Sequence, residues 1–186
     1  KAEDINNYEI GLSAKSDGFS FDVTGFIMKG ANLIESVRNT VTPPMYTFRN
    51  TGEFEFKGCE VSAGYIFTKN LNFNAGYTYF NAGKHTAGRP GSKIDADVFY
   101  KIGKWSFVAD AMYIGEYFKE NNKQTRLKDF TVINTKVFYE VKEGVKLFAD
   151  AQNITNQDYE MYLDREGGIM MQMPGAALYF GTQIKF

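Results

Sequence analysis

Tyr179-Phe180-Gly181-Thr182-Gln183-Ile184-Lys185-Phe186 ends the chain, and its alternation decides the fold. In an extended segment successive side chains point to opposite faces. Ala176, Leu178, Phe180, Thr182, Ile184 and Phe186 therefore share one face, and Tyr179, Gly181, Gln183 and Lys185 share the other. One face suits hydrocarbon and the other suits water. A strand of this kind at a chain end fits the seam of a transmembrane β-barrel.

Working back from this stretch, the same period of two predicts nine strands in all. The first covers about residues 6–15, with Tyr8, Ile10, Leu12 and Ala14 on its apolar face. The second opens at Phe19 and carries Phe21, Val23, Gly25 and Ile27. Cys59, Val61, Ala63, Tyr65 and Phe67 mark the third, and Leu71, Phe73, Ala75, Tyr77 and Tyr79 the fourth. Ile94, Ala96 and Val98 mark the fifth; Trp105, Phe107, Ala109, Ala111, Tyr113 and Tyr117 mark the sixth. Ile133, Val137 and Tyr139 belong to the seventh, and Val145, Leu147 and Ala149 to the eighth. Each is about 9–11 residues long, the length that crosses a bilayer at the tilt of a barrel.

The connections sort by length. Ser16-Asp17-Gly18, Lys69-Asn70, Gly103-Lys104 and Lys142-Glu143-Gly144 are tight turns. Between them fall long, irregular segments near 31–52, 81–92, 119–128 and 156–175. Membrane barrels keep short turns at one end and long loops at the other. A soluble lectin-like β-sandwich, the all-β alternative, has no reason to do so.

Desolvation assigns the faces. A Lys or Arg facing lipid at mid-bilayer costs roughly 2–4 kcal/mol. Lys93, Lys136, Lys146 and Lys185, with Asp95, Asp97, Asp110 and Asp150, all fall on the polar face, which makes them lumen-facing. Lys29 and Lys57 have the apolar parity but stand near the long-loop ends, within reach of headgroups. Phe19, Tyr65, Phe67, Trp105, Tyr113 and Tyr117 sit toward strand ends, as an interfacial girdle requires.

Composition agrees. The chain has 186 residues, a formal net charge of −1, and 17 Phe and 12 Tyr. Mean hydropathy is −0.35. No apolar run approaches the roughly 20 residues of a membrane helix, which excludes a helical membrane protein. The balanced charge gives no reason to expect nucleic acid. No Ser/His/Asp set, phosphate loop or metal-ligand cluster is present, so the chain reads as neither an enzyme nor a cofactor protein. His85 lacks a second ligand in metal spacing and reads as exposed. Met170, Met171 and Met173 cluster in the last long segment, where they pad the loop or meet a soft ligand. No apolar segment with a charged leader opens the chain, so no signal peptide is expected. An odd number of strands points to part of a larger barrel.

Two stretches carry a family resemblance. Asn153-Ile154-Thr155-Asn156-Gln157-Asp158-Tyr159 resembles the Asn-Leu-Phe-Asp-x-x-Tyr element before the last strand of TonB-dependent outer-membrane receptors. Asn153, Ile154, Asn156 and Tyr159 match in kind, and Thr155 departs from the usual Phe. Tyr179, Gly181, Ile184 and Phe186 are similar to the terminal signal read by the barrel-assembly machinery. Asn7-Tyr8-Glu9-Ile10-Gly11-Leu12 resembles a strand opening in that family, and Gly58-Cys59-Glu60-Val61 resembles its Gly-x-Glu segment.

The resemblance implies that residues 1–186 are the C-terminal part of a 22-stranded barrel, without the plug domain and the N-terminal strands. It implies a Gram-negative outer membrane, with the tight turns periplasmic and the long loops outside. It implies partnership with outer-membrane lipid, the remaining strands and plug, the TonB complex and a small-molecule ligand. The expected activity is energy-dependent uptake of a scarce nutrient, such as a ferric siderophore, cobalamin or haem. Arg89, Arg126, Tyr162 and Arg165, in the outer loops, are the candidate ligand contacts. The alternative is a small passive or structural outer-membrane barrel of eight to ten strands.

Overall fold

The computed structural model describes residues 1–38, 46–50, 52–164 and 169–185. It contains β1 (Asp4–Ser16), β2 (Phe19–Ala31), β3 (Ile34–Arg38), β4 (Tyr46–Asn50) and β5 (Phe54–Thr68). There follow β6 (Leu71–Asn81), β7 (Ser92–Ile102), β8 (Trp105–Gly115), β9 (Phe130–Lys142) and β10 (Val145–Gln152). The chain ends with β11 (Glu160–Asp164), β12 (Ile169–Gln172) and β13 (Ala177–Ile184). Nine strands form one antiparallel sheet in the order β1-β2-β5-β6-β7-β8-β9-β10-β13. The sheet is open: β1 and β13 are its two edges.

Register carries the sidedness of each strand across the sheet. Ile10 pairs with Gly25, Gly25 with Cys59, and Cys59 with Tyr79. Farther along, Ala75 pairs with Ala96, Ala96 with Ala111, and Ala111 with Ile133. A slip of one residue at any pairing would put one strand's polar side chains into the apolar face. None occurs along these rows. Left-handed backbone closes three of the four tight turns, at Gly18 (φ 76°), Gly103 (φ 57°) and Gly144 (φ 74°), where a Cβ would be strained.

The apolar face has the layout of a bilayer-spanning wall. Alanines and valines fill its middle, and aromatic residues stand at both ends. At the short-turn end Trp105 and Phe107 stack at 6.3 Å, and Trp105 meets Tyr139 at 4.7 Å. At the long-loop end stand Tyr8, Tyr79 and Tyr113. Trp105 and Tyr113 lie about 26 Å apart along β8 at ~3.3 Å per residue. At ~40° of tilt that is about 20 Å of depth, within the apolar band of outer-membrane barrels. Trp105 is 46% exposed and Phe180 73% exposed. Exposed aromatic residues continuous over a whole face need hydrocarbon rather than water.

Several expectations are corrected. β5 starts at Phe54, ahead of the expected Cys59, so Glu55 and Lys57 lie within the sheet. Glu55 bridges Lys29 (2.9 Å) and Lys57 (3.1 Å), which satisfies all three charges on the outward face. The segments after β2 and β10 are not irregular throughout, since each holds a hairpin, β3–β4 and β11–β12. Tyr117 does not continue the outward face of β8. Glu116 adopts φ 51°, which breaks the alternation and turns Tyr117 inward, where it is 3% exposed. Arg165, Phe186 and Pro43-Pro44 lie outside the described residues.

Candidate ligand-binding vestibule

The polar face is not uniformly polar. Near its long-loop end, Phe26, Phe56 and Phe80 stand on three neighbouring strands. Phe56 lies 5.5 Å from Phe80, and Phe26 lies 6.2 Å from Phe80. Gly58 makes this packing possible, because a Cβ there would fall 2.8 Å from the Phe26 ring. The loop between β6 and β7 folds down onto the same rings. His85, expected to be exposed, is 4% exposed and stands edge-on to Phe56 at 6.0 Å. The Arg89 guanidinium lies 5.5 Å from the Phe56 ring centre and donates to His85 O at 2.9 Å. A recess of about 670 Å³ opens beside these groups, bounded by Phe26, Phe80, Arg89, Lys93, Glu9 and Glu60. Its size suits a ligand of several hundred daltons.

The loop between β8 and β9 is joined to that between β6 and β7. Thr86 Oγ1 donates to Glu120 O at 3.0 Å and accepts from Lys123 N at 2.9 Å. Asn121 Oδ1 accepts from Ala87 N at 3.0 Å, and Asn122 N donates to Lys84 O at 2.7 Å. Such a network makes one framed rim of two loops.

The β11–β12 hairpin completes the rim. Beneath it Ile114, Phe130 and Val132, all of polar-face parity, are buried together with Tyr117. Tyr159, Met161, Tyr162 and Met170 pack against them. Burial of this apolar patch draws the hairpin over the polar face. Tyr159 lies 4.5 Å from Phe130. Tyr162 N donates to Tyr117 Oη at 3.0 Å, and the two rings meet edge-on at 5.9 Å. The Tyr162 hydroxyl is buried and has no hydrogen-bond partner among the described residues. Burial, helped by nearby Tyr117 and Glu120, holds this phenol above the ordinary phenol range.

Asn153 anchors the hairpin to the sheet. At φ 47° its side chain folds back to accept from Gln157 N (2.8 Å) and to donate to Gln157 O (2.9 Å) and Pro174 O (3.1 Å). Its own N–H donates to Asn134 Oδ1 at 2.9 Å. Asn156 Oδ1 accepts from Ala176 N at 2.9 Å just before β13. The Asn-x-x-Asn spacing is thus a clamp that fixes both ends of the last loop, and Tyr159 seats it on Phe130.

The candidate residues do not converge as a set. Arg89 and Tyr162 lie on the polar-face side of the rim. Arg126 bonds both oxygens of Asp129, at 3.2 and 3.0 Å, and Asp129 accepts from Tyr113 on the outward face. Lys93, Asp95, Asp97, Asp110 and Lys136 share the polar face through the pairings Asp95↔Met112, Asp97↔Asp110 and Val108↔Lys136. Asp97 and Asp110 face each other directly, an arrangement of like charges. Each takes an amide donor from its other side: Asn74 to Asp97 at 2.9 Å and Asn134 to Asp110 at 2.7 Å. Lys136 pairs with Asp150 at 3.0 Å, its ammonium 4.5 Å from the Phe148 ring centre. That ring covers Gly181, where a Cβ would fall 2.5 Å away, so the terminal Tyr-x-Gly spacing has a packing cause. Among the described residues no three of His, Cys, Asp and Glu converge as a metal site would require.

The aromatic vestibule was missed by the alternation argument. Phe26, Phe56 and Phe80 break the polar parity of their strands, and that break was the available signal.

Known proteins share this architecture. Residues 1–154 match the family described as TonB dependent receptor-like, beta-barrel. The vitamin B12 transporter BtuB of Photobacterium profundum is 24% identical over 166 residues, covering 86% of this chain and 27% of that protein. Among solved structures, the copper transporter OprC matches with a TM-score of 0.78 at 18% identity, covering 100% of this chain and 32% of its own. The ferric-catecholate import receptor Fiu from E. coli K12 matches at 0.75 and 20% identity, covering 100% and 28%. The chain therefore spans about a third or less of the length of these relatives, as an unclosed sheet from a larger barrel should. The chain belongs to the β-barrel of the TonB-dependent receptors, a family of outer-membrane transport receptors of Gram-negative bacteria rather than enzymes.

Proposed function

We propose that this chain is part of a receptor that captures a scarce, bulky nutrient of the ferric siderophore, cobalamin or haem class and imports it with energy delivered through TonB. The observation that carries the reading is the vestibule. An aromatic and cationic recess opens at the long-loop end of the polar face, framed by loops that pack inward. Capture outside and passage along a wall lined by Asp95, Asp97, Asp110 and Lys136 follow from that placement. The similarity to a vitamin B12 transporter supports a corrinoid among the candidate cargoes. On this reading the lumen holds a plug, and Tyr179, Gly181, Ile184 and Phe186 serve the barrel-assembly machinery.

The rival is a self-contained passive barrel. The two edges β1 and β13 do not pair with each other, which argues against it. The test is uptake of labelled cobalamin, ferric trihydroxamate and haem by cells carrying or lacking the full-length receptor, with and without a proton uncoupler. Receptor-dependent accumulation abolished by the uncoupler supports the proposal. Receptor-dependent entry that survives the uncoupler establishes the passive barrel instead.

A further inference from the structure

An apolar band crosses the water-facing side of the sheet. Phe99, Val108, Phe138 and Phe148, on β7, β8, β9 and β10, all have polar-face parity, and each is half-buried. Phe99 pairs with Val108, and Phe138 pairs with Phe148, their rings 6.1 Å apart. Four strands at ~4.8 Å make the band about 14 Å wide. Charges of opposite sign flank it. Toward the long loops stand Asp97 and Asp110, directly opposed and bonded by the neutral amides of Asn74 and Asn134. Toward the short turns stand Lys101 and Lys146. Lys101 faces Ser106, and Lys146 lies between Gln183 and Glu140. None of these four charges is in an ion pair among the described residues. β7 thus carries Asp97, Phe99 and Lys101 down its inner side, about 13 Å from carboxylate to ammonium at ~3.3 Å per residue. β10 repeats the order as Asp150, Phe148 and Lys146. There Lys136 of β9 answers Asp150 at 3.0 Å, its ammonium 5.5 Å from the Phe138 ring centre and 4.5 Å from that of Phe148.

Against bulk water such a band stays uncovered; against a protein surface it is buried. Interfaces between proteins place apolar groups at the centre and charges at the rim. We infer that β7–β10 is the docking surface of the plug on the inner wall, and that the plug surface seated there runs carboxylate, apolar, cation from the short-turn end upward. This rests on the uptake reading, in which the lumen holds a plug, and adds where the plug sits and what it presents. Its carboxylates meet Lys101 and Lys146, and its apolar groups cover Phe99 and Val108. A guanidinium or ammonium answers Asp97 and Asp110, whose like charges face each other across one strand pair. Two levels of opposite sign also set the plug's depth and direction, since a shifted or inverted plug puts like charges together. The wall is covered at rest, so cargo passes along it only when this contact opens.

The test uses the full-length receptor with the photo-reactive residue benzoylphenylalanine in place of Phe99 or, as the outward-facing control, of its neighbour Tyr100. Irradiation should join position 99 to peptides of the plug, identified by mass spectrometry, and position 100 only to lipid or detergent. A second arm reverses the lower charges. Lys101→Glu combined with Lys146→Glu should raise the fraction of receptors that conduct ions in a planar bilayer at a fixed urea concentration about tenfold. Lys101→Arg combined with Lys146→Arg keeps both charges and should change that fraction by no more than about twofold. Folding of each barrel is checked by heat-modifiable gel migration. No plug adduct from position 99, or a conducting fraction unmoved by the reversals, overturns the inference; uptake that stays receptor-dependent and uncoupler-sensitive then leaves the uptake reading intact. No plug adduct together with uncoupler-insensitive uptake overturns both.

Discussion

Ala109 and Asp110 are adjacent on β8 at the same depth and face opposite ways. Ala109 lies midway between Trp105 and Tyr113, paired with Val98 and Thr135 on the apolar face. Ala109→Arg places a guanidinium about 10 Å from either belt, too far for full snorkelling. The expected cost is about 2–4 kcal/mol, a factor of roughly 30–1000 in the folded population. Asp110→Arg loses the bond from Asn134 but sets a cation opposite Asp97. A favourable cross-strand pair recovers about 0.2–1 kcal/mol, so the net cost should stay near or below ~1 kcal/mol. The assay is denaturant unfolding of the full-length receptor folded into lipid vesicles, followed by tryptophan fluorescence and extrapolated linearly. Equal losses at the two positions, or a larger loss at 110, would refute the assignment of faces.

Other consequences follow from the rim. Asn153→Ala removes buried bonds to Gln157 and Pro174 at a left-handed position, and should cost about 3 kcal/mol; limited proteolysis should then cut within residues 153–176. Gly181→Ala pushes the Phe148 ring off its seat and should cost about 1–3 kcal/mol, seen as a lower yield of heat-modifiable folded barrel. Tyr162→Phe discards a buried hydroxyl that has no partner among the described residues, and should be neutral or slightly stabilising at pH 7. Because burial raises the Tyr162 pKa, its contribution is complete below about pH 10, where the unfolded phenol titrates, and is lost as pH rises through the folded value. Hydrogen exchange of the β11–β12 hairpin should thus quicken in alkali in the wild type, and do so at higher pH in Tyr162→Phe.

Sidedness was legible because strand alternation is a local property. Ile94, Ala96 and Val98 announce their face without knowledge of their partners, and register had only to preserve it. What the chain builds above the membrane was not legible. Tyr117 follows the alternation of β8 in sequence, yet a single left-handed residue, Glu116, reverses it. His85 is buried by Phe56, a residue from another strand, and by a loop whose fold depends on Asn121 and Lys123 farther on. Contacts of this range have no short-period signature. The Asn153 motif stood between the two cases: its residues were recognisable, but its role as a clamp depended on Pro174 and Ala176 across the whole loop.

The central claim is that alternate side chains of one wall meet hydrocarbon and water. Spin labels placed one at a time at residues 106–112 of the full-length receptor, in a Cys59→Ser background, test it in lipid vesicles. Collision rates with oxygen, which partitions into hydrocarbon, should peak at 107, 109 and 111. Collisions with a water-soluble nickel chelate should not peak there. A flat profile, or peaks at 106, 108 and 110, would contradict the account.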